Sequence, residues 1–205
     1  MDCVFINNTA INGGAVYWTG ATGTLTDSKF INNTASSNGG GILWSGSNGV
    51  LSDSTFINNT AIGVGGGIAW SGFKGILMDS AFNGNSANRA GGGVFWAAST
   101  GKISNSTFIH NNAHNGGSVY WYGVKGTIID STFNNNVASS DGGGVFWAAA
   151  NGTLSGSNFN GNNATYGGCV YWVGDNGTLS SSKFVNNAVN KMVVLFSGKE
   201  IKEHY

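Results

Sequence analysis

The sequence predicts an all-β solenoid, a single-stranded parallel β-helix of about eight turns with 25–26 residues and three short strands per turn. Three rows of residues carry that prediction. All seven tryptophans occupy one repeat position (Trp18, Trp44, Trp70, Trp96, Trp121, Trp147, Trp172), spaced by 26, 26, 26, 25, 26 and 25 residues. A phenylalanine row (Phe5, Phe30, Phe56, Phe82, Phe108, Phe133, Phe159, Phe184) keeps the same beat, always 12 residues after a Trp and 13 or 14 before the next. An asparagine follows each Phe by three residues in all eight units: Asn8, Asn33, Asn59, Asn85, Asn111, Asn136, Asn162 and Asn187. The variation in length therefore lies between the Asn-rich turn and the glycines.

The elements follow from one unit, residues 39–61, GGGILWSGSNGVLSDSTFINNTA. Side chains alternate along a strand, so Ile42 and Trp44 point to one face and Leu43 to the other. The first face holds Val16, Ile42, Ile68, Val94, Val119, Val145 and Val170 beside the Trp row and reads as core. The second varies between Tyr17, Leu43, Ala69, Phe95, Tyr120, Phe146 and Tyr171. After the next Gly, a second strand buries Leu25, Leu51, Leu77, Ile103, Ile128, Leu154 and Leu179, and a third turns Ser54, Phe56 and their equivalents inward. A coil of such strands rises by about 4.8 Å per turn, which stacks Trp on Trp and Phe on Phe. The Asn row is expected at a left-handed corner with its amides hydrogen-bonded along the axis. Small residues two positions on, from Ala10 to Ala164, suit a crowded bend.

One such turn buries too little to fold alone, and the ends of the stack are open strand edges. The array is expected over residues 1–190, with residues 191–205 as a last partial turn and a charged cap or tail. In that tail Phe196, Ser197 and Gly198 resemble Trp44, Ser45 and Gly46, and five of the 18 charges fall there. No N-terminal cap is expected.

Composition narrows the function. Gly accounts for 35 of 205 residues and Pro for none, while 40% hydrophobic residues in periodic placement argue for an ordered core rather than a disordered Gly-rich chain. Net charge is zero with no basic run, so neither nucleic acid nor an anionic membrane surface has an electrostatic handle. No apolar run approaches the roughly 20 residues of a membrane-spanning helix, and MDCVFINNTA lacks the features of a secretion signal.

The pairing of Gly-Gly motifs (GGAV at 13–16, GGGI at 39–42, GGSV at 116–119, GGCV at 167–170) with Phe-x-x-Asn resembles the repeat of polymorphic outer membrane proteins. The fuller unit GGAVYWTGATGTLTDSKFINNTA also resembles adhesin-like surface proteins of methanogenic archaea. The resemblance implies a right-handed parallel β-helix displayed outside the cell or on its surface, with an adhesive or envelope role and no catalytic residues.

Several residue sets invite chemistry. Asp27, Asp53 and Asp79, resumed at Asp130, stack about 5 Å apart, offering Ca²⁺ oxygen ligands or a close carboxylate pair like that of a retaining glycosidase. Replacement by Asn105, Gly156 and Ser181 favours a corner that either Asp or Asn can turn. His110 and His114 read as solvated loop residues. Cys3 and Cys169 lie six turns apart, roughly 29 Å at the strand spacing, too far for a disulfide. NNT at 7–9, 32–34 and 58–60 and NGT at 151–153 and 176–178 match the glycosylation pattern, which an Asn- and Thr-rich repeat produces by chance. The candidate contact surface is the outward row Phe95, Tyr120, Phe146 and Tyr171, aromatic over four consecutive turns and suited to sugar rings or a protein. Simple strand packing explains the same row equally well. Three functions stay open at this point: a non-catalytic adhesin-like module contacting a glycan or cell-surface protein, a subunit that stacks end to end into a filament, and, least favoured, a polysaccharide-acting enzyme.

Overall fold

A computed structural model describes residues 2–192. Those residues form a parallel β-solenoid of about seven turns with no helix. Every turn carries four strands rather than the expected three. The Phe sheet has eight strands from Val4–Ile6 to Lys183–Val185, and an Ala sheet has eight from Thr9–Ala10 to Ala188–Met192. The Trp sheet has seven strands from Val16–Trp18 to Val170–Trp172, and a Leu sheet has seven from Thr24–Thr26 to Thr178–Ser180. The unexpected element is the Ala sheet. Its first three strands are only two residues long, too short to show alternation, yet Ala35 pairs with Ala61 and Ala61 with Ala87 in parallel register. The small residue is thus an inward strand position: Ala35 and Ala61 are fully buried because the coil is narrow there.

Four strands need four corners, and each is turned by one residue of left-handed backbone. The rows run through Asn7, Gly13, Thr22 and Asp27 and recur in every described turn. The Asn ladder is not one of them, which corrects the sequence expectation. The left-handed residue is the one before it, occupied by Asn7, Asn32, Asn58, Gly84, His110, Asn135, Gly161 and Asn186. Freed from turning the chain, Asn33, Asn59, Asn85, Asn111, Asn136 and Asn162 point inward and are fully buried. Each side-chain oxygen accepts from both the backbone N–H and the amide of the preceding turn's Asn, as Asn85 Oδ1 does from Asn59 at 3.0 and 2.9 Å. Each amide also donates to a Phe carbonyl of the turn before, as Asn85 does to Phe56 at 2.9 Å. A second inward polar column runs beside it. The Ser54 backbone N–H donates to Ser80 Oγ at 3.2 Å, and Ser54 Oγ donates to the Ser52 carbonyl at 2.7 Å.

Apolar columns fill the remaining interior. The Trp rings stack with centroids 4.5–5.0 Å apart and planes within 4–10° of parallel. The Phe rings repeat at the same 4.5–5.0 Å. Strand spacing sets these separations, and near-parallel planes at such distances give the offset stack that aromatic pairs prefer. Each indole lies against the glycine that opens the Leu strand of its own turn. A side chain at Gly101 would collide with the Trp96 ring.

The corner row beginning at Thr22 includes a correctable strain. Left-handed backbone costs a residue other than Gly roughly 1–2 kcal/mol, with Asn and Asp the most tolerant, and a β-branched residue fits there poorly. Thr100 sits at φ 58°, where Asn48, Asn151 and Asn176 occupy the same corner in other turns. Thr100→Asn is expected to raise stability by about 1 kcal/mol. A higher denaturation midpoint at unchanged slope is the readout, and an unchanged or lower midpoint counts against the strain.

The charged segment after Met192, including Phe196, Ser197 and Gly198, lies outside the described residues.

Candidate functional site, an aromatic groove on the lateral face

The outward residues of the Trp sheet form a column of their own. Phe95 stacks on Tyr120 (5.5 Å, 21°), Tyr120 on Phe146 (4.6 Å, 8°), and Phe146 meets Tyr171 at a tilt of 39° and 5.1 Å. All four are half-buried. They pack on one another and still present surface, so the contact and packing readings of this row describe the same residues. Sequence reasoning passed over Tyr122, which stands two positions beyond Tyr120 on the same outward side and is 62% exposed. Its signal is legible in hindsight: the equivalent positions hold Thr19, Ser45, Ser71, Ala97, Ala148 and Val173, none aromatic.

Beside this column runs the segment of variable length. Three residues separate Ala87 from Gly91, but only two separate Ala113 from Gly116. The Ala sheet absorbs the difference without losing pairing. Ala87 faces Ala113, whereas Ala90 faces Asn115, so the strand Ser86–Ala90 bulges by one residue. A β-bulge leaves its extra residue outside the ladder and bends the strand, which places Asn88 and Arg89 on the exposed side. Bulge and aromatic column enclose a groove of about 590 Å³. Phe95, Tyr120 and Tyr122 line it with Asn88, Arg89 and Ala90 from the bulge, His114 and Asn115 from the next turn, and Asn38 and Val64 from the turns before.

Burial, followed by the neighbouring Tyr122 and Asp141, pushes the Tyr120 hydroxyl above the usual tyrosine pKa, and its ring stays neutral at physiological pH. Asp141 does not line the groove, and its carboxylate accepts hydrogen bonds from its neighbours. Ser140 Oγ donates to its Oδ2 at 2.8 Å, and the Asn115 amide, with its nitrogen turned to the carboxylate, donates to Oδ2 at 3.0 Å. His114 Nδ1 pairs with Ser139 Oγ at 2.8 Å.

The other sequence candidates lie elsewhere. Asp27, Asp53, Asp79 and Asp130 turn the corner between the Leu and Phe sheets at φ 49–52°. Asn105, Gly156 and Ser181 take the same left-handed conformation in that row, so the corner imposes a backbone requirement that Asp and Asn meet alike. Among the described residues, no group of three or more His, Cys, Asp or Glu side chains is placed to hold a metal ion. His110 turns the corner before the Asn ladder at φ 53°, while His114 lies on the strand Asn112–Asn115 rather than in a loop. Cys3 and Cys169 are free thiols, the first half-buried and the second buried.

Three segments match the Chlamydia polymorphic membrane protein repeat. They cover residues 2–17, 27–43 and 130–146, about a quarter of the chain. Each repeat match starts at an Asp, Asp2, Asp27 or Asp130, of which the last two turn the corner before the Phe sheet, and ends on an outward residue of the Trp sheet, Tyr17, Leu43 or Phe146. The matched repeat thus contains the Phe strand, the Asn ladder, the Ala strand and the segment of variable length, and stops short of the Trp column. No curated protein and no solved structure matches the chain. No helix among the described residues is long and apolar enough to cross a membrane.

Proposed function

We propose that the chain is a non-catalytic, adhesin-like module of the cell surface that binds glycan through the groove on its lateral face. The observation that carries this reading is a convergence. Two parts of the repeat that vary between turns, the outward residue of the Trp strand and the segment before the glycines, lie side by side and line one groove. A scaffold conserves what it needs for stacking, and recognition belongs to positions free to vary. Three aromatic rings, three Asn amides and one Arg match the needs of a sugar, which presents apolar ring faces and a rim of hydroxyls. The match to a membrane protein repeat supports placement at the cell surface.

We take the coil to be right-handed with about eight turns. Connections between parallel strands of one sheet are overwhelmingly right-handed, which supports that hand.

Glycan-array binding by the purified chain tests the proposal. Phe95→Ala combined with Tyr120→Ala is expected to weaken binding about tenfold or more, since each ring contributes on the order of 1 kcal/mol to stacking. Circular dichroism on the same samples verifies that the solenoid persists. A folded wild-type chain that binds no glycan, or a folded double variant that binds undiminished, refutes the reading.

A further inference from the structure

We propose that the groove selects glycans carrying a carboxylate, with Arg89 as the anchor for the acid group. This rests on the glycan reading above and adds its charge class. Arg89 is the only charged residue in the lining apart from the titratable His114, and no carboxylate contributes to it. Asp141 stands behind the groove, half-buried, outside the lining and hydrogen-bonded by Ser140 and Asn115, so a ligand's acid group is directed to the Arg89 side. Among the described residues, Arg89 has no ion-pair partner, although a bulged strand holds it at the rim. A planar guanidinium presents a fork of donors that fits a carboxylate in bidentate fashion, which a lysine at this position would not reproduce.

The dimensions favour a sugar over a protein surface as the occupant. A volume of about 590 Å³ falls within the range of small-ligand sites, whereas stable protein interfaces are broad patches with apolar centres. The rings offer a stacking floor for a pyranose, and the acid group of a uronic or sialic acid at the ring's edge then meets Arg89 at the groove's edge.

The test compares matched pairs of ligands. Galacturonate, glucuronate and sialic-acid oligomers are each titrated beside their methyl esters, which keep the ring and remove the charge. In low salt the wild-type chain is expected to bind at least one acid form about tenfold tighter than its ester, with the preference shrinking as salt rises. Arg89→Gln should erase that preference, lowering affinity for the acid about tenfold more than for its ester. Tyr122→Ala should weaken acid and ester forms equally. Equal affinity for acids and esters, or a preference that survives Arg89→Gln, overturns the charge selectivity and leaves the glycan reading standing. Failure to bind any member of the panel or any arrayed glycan, with an acidic protein bound in their place, overturns both.

Discussion

Replacing Trp96 by alanine is expected to remove about 3–5 kcal/mol of stability, the largest effect of any single truncation in the coil. Trp96 is fully buried and stacks on Trp70 at 4.8 Å and on Trp121 at 4.9 Å. The substitution leaves a void between two rings that strand spacing prevents from closing. Gly101 cannot fill it, because the glycine is there to admit the indole in the first place. Trp96 Nε1 has no hydrogen-bond partner, so the loss is one of packing, and Trp96→Phe should recover much of it. Because each turn contacts only its neighbours, a defect in the middle turn also weakens the coupling between the two halves. Urea unfolding followed by fluorescence should show a lower midpoint, with broadening or separation into two transitions. A loss under about 1 kcal/mol would mean that the column is not a rigid stack.

Asn85→Ala is expected to cost about 1–3 kcal/mol, for a reason that packing does not supply. The Asn85 amide closes four hydrogen bonds at the coil's interior: two accepted from Asn59, one donated to Asn111 at 3.0 Å and one to Phe56. Its removal leaves the Asn59 backbone N–H buried without a partner, at about 1–3 kcal/mol, while the Phe56 carbonyl keeps its place in the strand ladder. Asn83, exposed on the Phe sheet two residues earlier, is the control, and Asn83→Ala should change stability by no more than about 0.5 kcal/mol. The comparison is read by chemical denaturation of the two variants side by side. Similar small losses in both would remove the ladder from the forces holding the turns together.

The scaffold was legible in the sequence because its columns obey one period. Trp18 to Trp172 and Phe5 to Phe184 each identify a strand and a buried side, and the structure places both in parallel sheets with matched register. What escaped was local. The Ala strand offers only Thr and Ala over two residues, too little for periodicity, and its pairing becomes evident only when neighbouring turns are stacked. The left-handed corner was assigned one residue late because Asn7 and Asn8 are both asparagines. The discriminating signal was present at Gly84 and Gly161, since glycine replaces a residue at a left-handed turn and never one whose side chain builds a ladder. The groove was half legible. Phe95 and Tyr120 could be named as outward, but the bulge at Asn88 and Arg89 that walls them in depends on how two loops of unequal length pair across turns, which no single unit records.

That bulge also bears on how such a chain can diversify. Segments of two and of three residues already occur before the glycines, and the Trp, Leu and Phe columns stay aligned through every change. A one-residue insertion or deletion at this seam therefore reshapes the recognition surface while the scaffold keeps its frame. Elsewhere in the coil, the same event would shift inward side chains outward along a strand. Three sides of the solenoid are locked to a template, and the fourth is open to revision one codon at a time.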